Sequence, residues 1–98
     1  MVIWSNTAKS DLRAIHDFIA YDSKHYAKMV TQDIVAKAEV LADLRQIGRV
    51  VPELGDDTIR EVSQYSYRII YQVSQQDIHI LAVIHKRREL RADMVGQP

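Results

Sequence analysis

The sequence predicts an α+β domain in which an N-terminal antiparallel helical hairpin packs on one face of a small antiparallel β-sheet. Three observations carry this. Apolar residues recur with the helical period between residues 8 and 46, the period shortens to two from about residue 58 onward, and polar turn signals separate the runs. At 98 residues, 47% hydrophobic and 27% charged with 3 Gly and 2 Pro, the chain has the makeup of one packed domain and not of a disordered tail.

The helical part reads as two stripes. Ala8, Leu12, Ile15 and Ile19 form the first, and Ala27, Val30, Ile34, Ala38, Leu41 and Leu44 form the second. Thr7 is the expected N-cap of the first helix, with Asp11 near the positive end of its dipole. Tyr21-Asp22-Ser23 is turn-like, and Asp22 or Ser23 caps the second helix, which is expected to run to Gly48, so the hairpin spans about 7–47. Each helix has one apolar face. The pair therefore needs a sheet to cover it.

The sheet is expected over about 58–85 with a possible edge strand at 2–4. In Tyr67-Arg68-Ile69-Ile70-Tyr71-Gln72-Val73, Tyr67, Ile69, Tyr71 and Val73 share one face and leave Arg68, Ile70 and Gln72 on the other. From Ile78 to His85 the even positions are apolar, which assigns His79, Leu81, Val83 and His85 to the face of Arg68. Ser74-Gln75-Gln76-Asp77 is a break of hairpin length, and Gln64-Tyr65-Ser66 separates off a third strand, Thr58 to Ser63. Gly48-Arg49-Val50-Val51-Pro52-Glu53 must cross from helices to sheet, with Pro52 forcing Val51 to be extended. If Gln64 pairs with Tyr67, Glu61 lies beside Arg68 as an ion-pair partner; a loop one residue longer places Arg60 there instead.

Composition limits the chemistry. Thirteen basic residues balance thirteen acidic ones, which argues against a general nucleic-acid coat while leaving room for a local basic patch. With no cysteine there is no disulfide, thiolate nucleophile or thiolate metal site, and neither His16 nor His25 has the helical partners of a metal site, so no metal and no cofactor is expected. No Gly-rich phosphate loop is present. Without a membrane-length apolar run or a signal-peptide layout, the expected location is the cytoplasm. Arg68 can reach solvent or clamp an anion, and His85-Lys86-Arg87-Arg88-Glu89-Leu90-Arg91 is the dense basic stretch of a C-terminal segment over 86–98 that could bind phosphates or an acidic peptide. His85 could also shuttle a proton.

The order of these features, Trp4 and Ala8, Asp11-Leu12 with Ile15, the Gly48-Arg49-x-Val51-Pro52-Glu53 crossing, Arg60-Glu61, Tyr67-Arg68-Ile69-Ile70-Tyr71 and Ile84-His85-Lys86-Arg87-Arg88-x-Leu90, resembles the RelE/ParE superfamily of bacterial toxins over about nine-tenths of the chain. The resemblance implies a single toxin domain over 1–98, the toxin half of a type II toxin–antitoxin module used in growth inhibition and plasmid stabilisation. It also implies a cognate antitoxin in a hetero-oligomer that meets operator DNA only through the antitoxin. RelE-like members cut mRNA on the ribosome, whereas ParE-like members poison DNA gyrase and have no catalytic residues. A RelE-like activity would rest on Arg68, His85 and Arg87, with Glu53 or Glu61 in support. Lysines are missing from Thr58-Ile59-Arg60-Glu61-Val62 and a tyrosine from Arg91-Ala92-Asp93-Met94-Val95, which makes the likeness closer to ParE. A mRNA endonuclease acting with the ribosome is the alternative, and a non-toxic antitoxin-binding protein the second. The resemblance places target or antitoxin binding on Arg49, Arg60, Arg68, His85, Lys86, Arg87, Arg88 and Arg91.

Overall fold

A computed structural model describes residues 1–95; the last three residues of the expected C-terminal segment lie outside the described ones. The elements follow in the order β1 (Val2–Trp4), α1 (Asn6–Ala20), α2 (Lys24–Val40), β2 (Arg49–Val50), β3 (Ile59–Gln64), β4 (Tyr67–Val73), β5 (Ile78–His85) and a 3₁₀ turn (Ala92–Met94). Two helices pack on one face of a five-stranded sheet of order β1-β5-β4-β3-β2. The sheet is mixed. β1 runs parallel to β5, since the rest of the chain intervenes as a crossover, and the other pairs are antiparallel.

The helices start where serine side chains take up orphan amides. Ser23 caps α2, its Oγ accepting from Tyr26 N–H at 3.1 Å. At α1 the cap is Ser5 and not the expected Thr7, because β1 carries straight into it: Ser5 N–H donates to Ile80 C=O at 2.9 Å, its Oγ donates to Leu81 C=O at 3.1 Å, and the same Oγ accepts from Ala8 N–H at 3.0 Å. Thr7 is already inside the helix. α2 also ends earlier than expected, at Val40. Leu41 is buried, but Leu44 and Ile47 point to solvent, and the Tyr71 hydroxyl draws the following loop inward by donating to Arg45 C=O and accepting from Gly48 N–H, each at 3.0 Å. A Cβ on Gly48 would come within 2.6 Å of that hydroxyl, so the close approach requires glycine. The segment expected only to cross from helices to sheet then forms β2, a short edge strand beside β3.

Two cores flank the sheet. Ala8, Val30, Ile34, Ala38, Leu41, Val62, Ile69, Tyr71, Ile78, Ile80 and Val83 are buried between sheet and helices. On the outer face Val51, Ile70, Leu81, Ala82, Ile84 and Leu90 form a smaller core, with Leu54, Ile59, Met94 and Val95 against it. Part of the expected open face is thus covered by the chain's own loop and tail.

The register of β3 and β4 follows the first of the two expected pairings, Gln64 with Tyr67 and Glu61 with Ile70. Tyr65 turns the hairpin at φ 55°, and its hydroxyl donates to the Asp33 carboxylate of α2. Between β4 and β5 the register slips: Ile70 pairs with Ala82 but Tyr71 with Ile80, leaving Leu81 as an extra residue. This bulge reverses the faces beyond it. Val83 joins the helix-side core and Ile84 the outer one, so Val83 and His85 do not share the face of Arg68 as the uninterrupted alternation implied.

Candidate functional site

β4 places Arg68 in the middle of the outer face, where burial leaves it 8% exposed. A buried cation needs partners on every donor. The register sets Glu61 on the neighbouring strand, and Pro52 ends the extended Val51 so that Glu53 reaches over from the loop. Arg68 Nε and Nη2 donate to Glu61 Oε2 at 2.9 and 2.6 Å, while Nη1 and Nη2 donate to the two oxygens of Glu53 at 2.9 Å each. Its Nη1 also lies 3.5 Å from Arg88 C=O. Glu61 further accepts from Arg49, whose Nη2 is 3.0 Å away. Glu53 spends an oxygen on the tail as well, accepting from Leu90 N–H at 3.1 Å.

These contacts have an electrostatic signature. The Arg68 hydrogen bonds hold the Glu53 carboxyl at about 2, well below its ordinary 4.5, and the Glu53 contact raises the Arg68 guanidinium further above its already high value. Arg49, Glu53, Glu61, Ser63, Arg68 and Lys86 enclose an open basin of about 260 Å³. Chemically it is an ion-pair clasp. Its carboxylates already occupy the guanidinium fork that a phosphate would use.

The other candidate residues are dispersed. Arg60 lies on the helix side, with Nη1 donating to Gly48 C=O at 2.8 Å and Nη2 to Gln46 at 3.3 Å, so it braces the loop before β2. His85 is exposed at the end of β5, its ring edge-on to Tyr67 at 5.7 Å, and its Nδ1 accepts from Arg87 N–H at 3.1 Å. Lys86, Arg87 and Arg88 are exposed in the turn that follows, and the Arg91 side chain pairs with Asp93 at 3.4 Å. Arg68 and His85 therefore lie on opposite faces of the sheet. Among the described residues no group of three or more His, Asp or Glu could hold a metal ion, and no helix is long and apolar enough to cross a membrane.

Glu53 as the second clamp on Arg68 was not evident from the sequence, since it is fifteen positions away in a loop. Asp11, expected near the positive end of the α1 dipole, also accepts from Val83 N–H of β5 at 3.0 Å through its carboxylate. Burial raises its pKa despite that hydrogen bond.

Comparison with known proteins agrees with this architecture. Residues 2–90 match the family model described as ParE toxin of type II toxin-antitoxin system, parDE. A solved structure described as a chromosomal ParDE TA system from P. aeruginosa superposes with a TM-score of 0.70 at 23% identity, over 86% of this chain and 92% of that one. No curated protein matches by sequence.

Proposed function

The chain belongs to the ParE toxin family of type II toxin–antitoxin systems, and from that premise we propose that it acts as a poison of DNA gyrase, without a catalytic site of its own, and is neutralised by a cognate antitoxin. The observation that carries this reading is the closed state of Arg68. A nuclease of this shape needs an unencumbered cation in the sheet to stabilise phosphate charge, and here two carboxylates take up the guanidinium. Phosphate would have to displace both, or approach two negative charges within the basin. His85 lies beyond the bulge, on the face opposite Arg68, which supports a reading without proton transfer between them.

In this reading the helical hairpin and the exposed turn Lys86-Arg87-Arg88 contact gyrase, and the antitoxin is held against the sheet. Arg49, Arg60 and Arg68 act as scaffold. The decisive experiment is supercoiling of relaxed plasmid by purified gyrase with increasing amounts of the protein. Supercoiling should fall and cleaved plasmid accumulate, with activity restored by the antitoxin. Unchanged supercoiling in the presence of folded protein at large excess overturns the proposal, and cut transcripts on translating ribosomes would establish the nuclease instead.

A further inference from the structure

Acids and bases are segregated on the helical hairpin. Asp11 accepts from Val83 N–H at the sheet, Asp33 accepts from the Tyr65 hydroxyl of the β3–β4 turn, and Asp17 is taken up by His16 Nδ1 at 3.2 Å. Asp22 lies in the turn between the helices, and Glu39 sits in the last turn of α2. Basic residues hold the solvent side. Lys9, Arg13 and His16 follow one another at the spacing of a single α1 face, and with Leu12 and with Thr31 of α2 they line a groove of about 300 Å³ between the helices. Lys24 and Lys28 precede Thr31 at the same helical spacing and prolong its face toward the turn. Among the described residues no salt bridge engages Lys9, Arg13, Lys24 or Lys28.

Permanent cations without counter-charge around one groove call for a polyanion. Its kind follows from what else the groove contains. The exposed Phe18, Tyr21, Tyr26 and Met29 do not line it, so it offers no large ring on which an unpaired base could stack and no apolar anchor for an amphipathic peptide. What it offers is charge at regular intervals on rigid helices. Lys9 to His16 covers roughly 10 Å of helix axis, a length over which one strand of a duplex presents about three phosphates.

We infer that this groove seats the phosphate backbone of duplex DNA, without regard to base sequence, with Lys9 and Arg13 on one wall and Lys28 on the other. The inference rests on the gyrase reading for the presence of duplex beside the bound toxin, since gyrase holds the DNA it cuts. The affinity of the groove itself does not depend on that reading. Phe18 and Tyr21, exposed outside the groove, are left for a protein surface. A toxin that grips enzyme and DNA at once favours the state in which the two are joined.

The test is fluorescence anisotropy of a labelled DNA duplex of mixed sequence with the full-length protein and no gyrase. Binding should be measurable in about 50 mM salt, and log K should fall against log salt with a slope of about −3. Arg13→Glu and Lys28→Glu, both at exposed positions, should each weaken binding by about fivefold or more with an unaltered circular dichroism spectrum. Lys37→Glu makes the same charge change four residues beyond Asp33, away from the groove, and should cost less than about twofold. Poly-glutamate at equal charge concentration should compete at least about tenfold less well than unlabelled duplex. Absence of binding by the folded wild-type protein, or equal losses from Lys37→Glu and Arg13→Glu, overturns the inference. Equal competition by poly-glutamate also overturns it, because the groove then takes an acidic peptide. Duplex binding by a protein that leaves supercoiling unchanged overturns the gyrase reading alone.

Discussion

The two faces of the sheet are held by different physics. Toward the helices, Ile34, Leu41, Ile69, Tyr71 and Ile80 are fully buried side chains that keep water out over most of the sheet. Toward the outside, a smaller apolar cluster is joined to a buried arginine and two carboxylates, and the covering pieces are a loop and a tail in place of helices. The helix side is assembled by buried apolar area. The outer side depends on one cation, because Arg68 ties together a strand neighbour, the loop carrying Glu53 and, through Glu53, the tail at Leu90.

Removing that cation is the strongest way to break the contrast. Arg68→Ala should cost about 3–5 kcal/mol in urea denaturation, since it leaves two carboxylates without their counter-charge. A loss below about 1 kcal/mol would mean that the clasp is an accessory and that apolar burial supports both faces alike. The acid limb gives a smaller effect of defined sign. Glu53 has its folded pKa depressed from 4.5 to about 2, so its contribution is complete above the first value and disappears as pH falls toward the second. Thermal melts between these limits should show Glu53→Gln less stable at neutral pH by about 1–3 kcal/mol but flatter with pH than wild type. Parallel pH profiles for the two would detach Glu53 from the acid response. The mildest change lies on the other face: Ser5→Ala removes the α1 cap and should cost about 0.5–2 kcal/mol, by the same amount at every pH across that window. A cost for Ser5→Ala that varies with pH would show that the faces are electrostatically coupled.

Much of this architecture was legible in the chain. Two helical stripes and three consecutive strands follow from period, whereas the β3–β4 register is one of two pairings the chain leaves open, the one that brings Glu61 beside Arg68. What escaped has a common cause. Ile80-Leu81-Ala82-Val83-Ile84 is apolar throughout and carries no alternation to reveal that a bulge reverses its faces, so simple alternation puts Val83 and His85 on the face opposite to the one they occupy. Leu41 and Leu44 prolong the helical spacing past the true end of α2, which is decided by a tyrosine hydroxyl from a distant strand. Of the candidate site, the cations are visible in the sequence and Glu61 only as one of two alternatives beside Arg68, whereas Glu53 reaches Arg68 from a loop whose position no local pattern encodes.

The pairing of β1 with β5 has a consequence for when the molecule is completed. Val2–Trp4 are synthesised well before their strand partner, Ile78–Ile80, with α1, α2 and three strands between them. At a synthesis rate of about 5–20 residues per second, roughly 4–15 s pass between the two, during which the sheet lacks its first strand and Ser5 lacks the Ile80 carbonyl it bonds to. A chain truncated before β5, whether by stalled translation or by proteolysis, leaves the N-terminal strand without its place. The sheet is therefore complete only once β5 has formed beside β1.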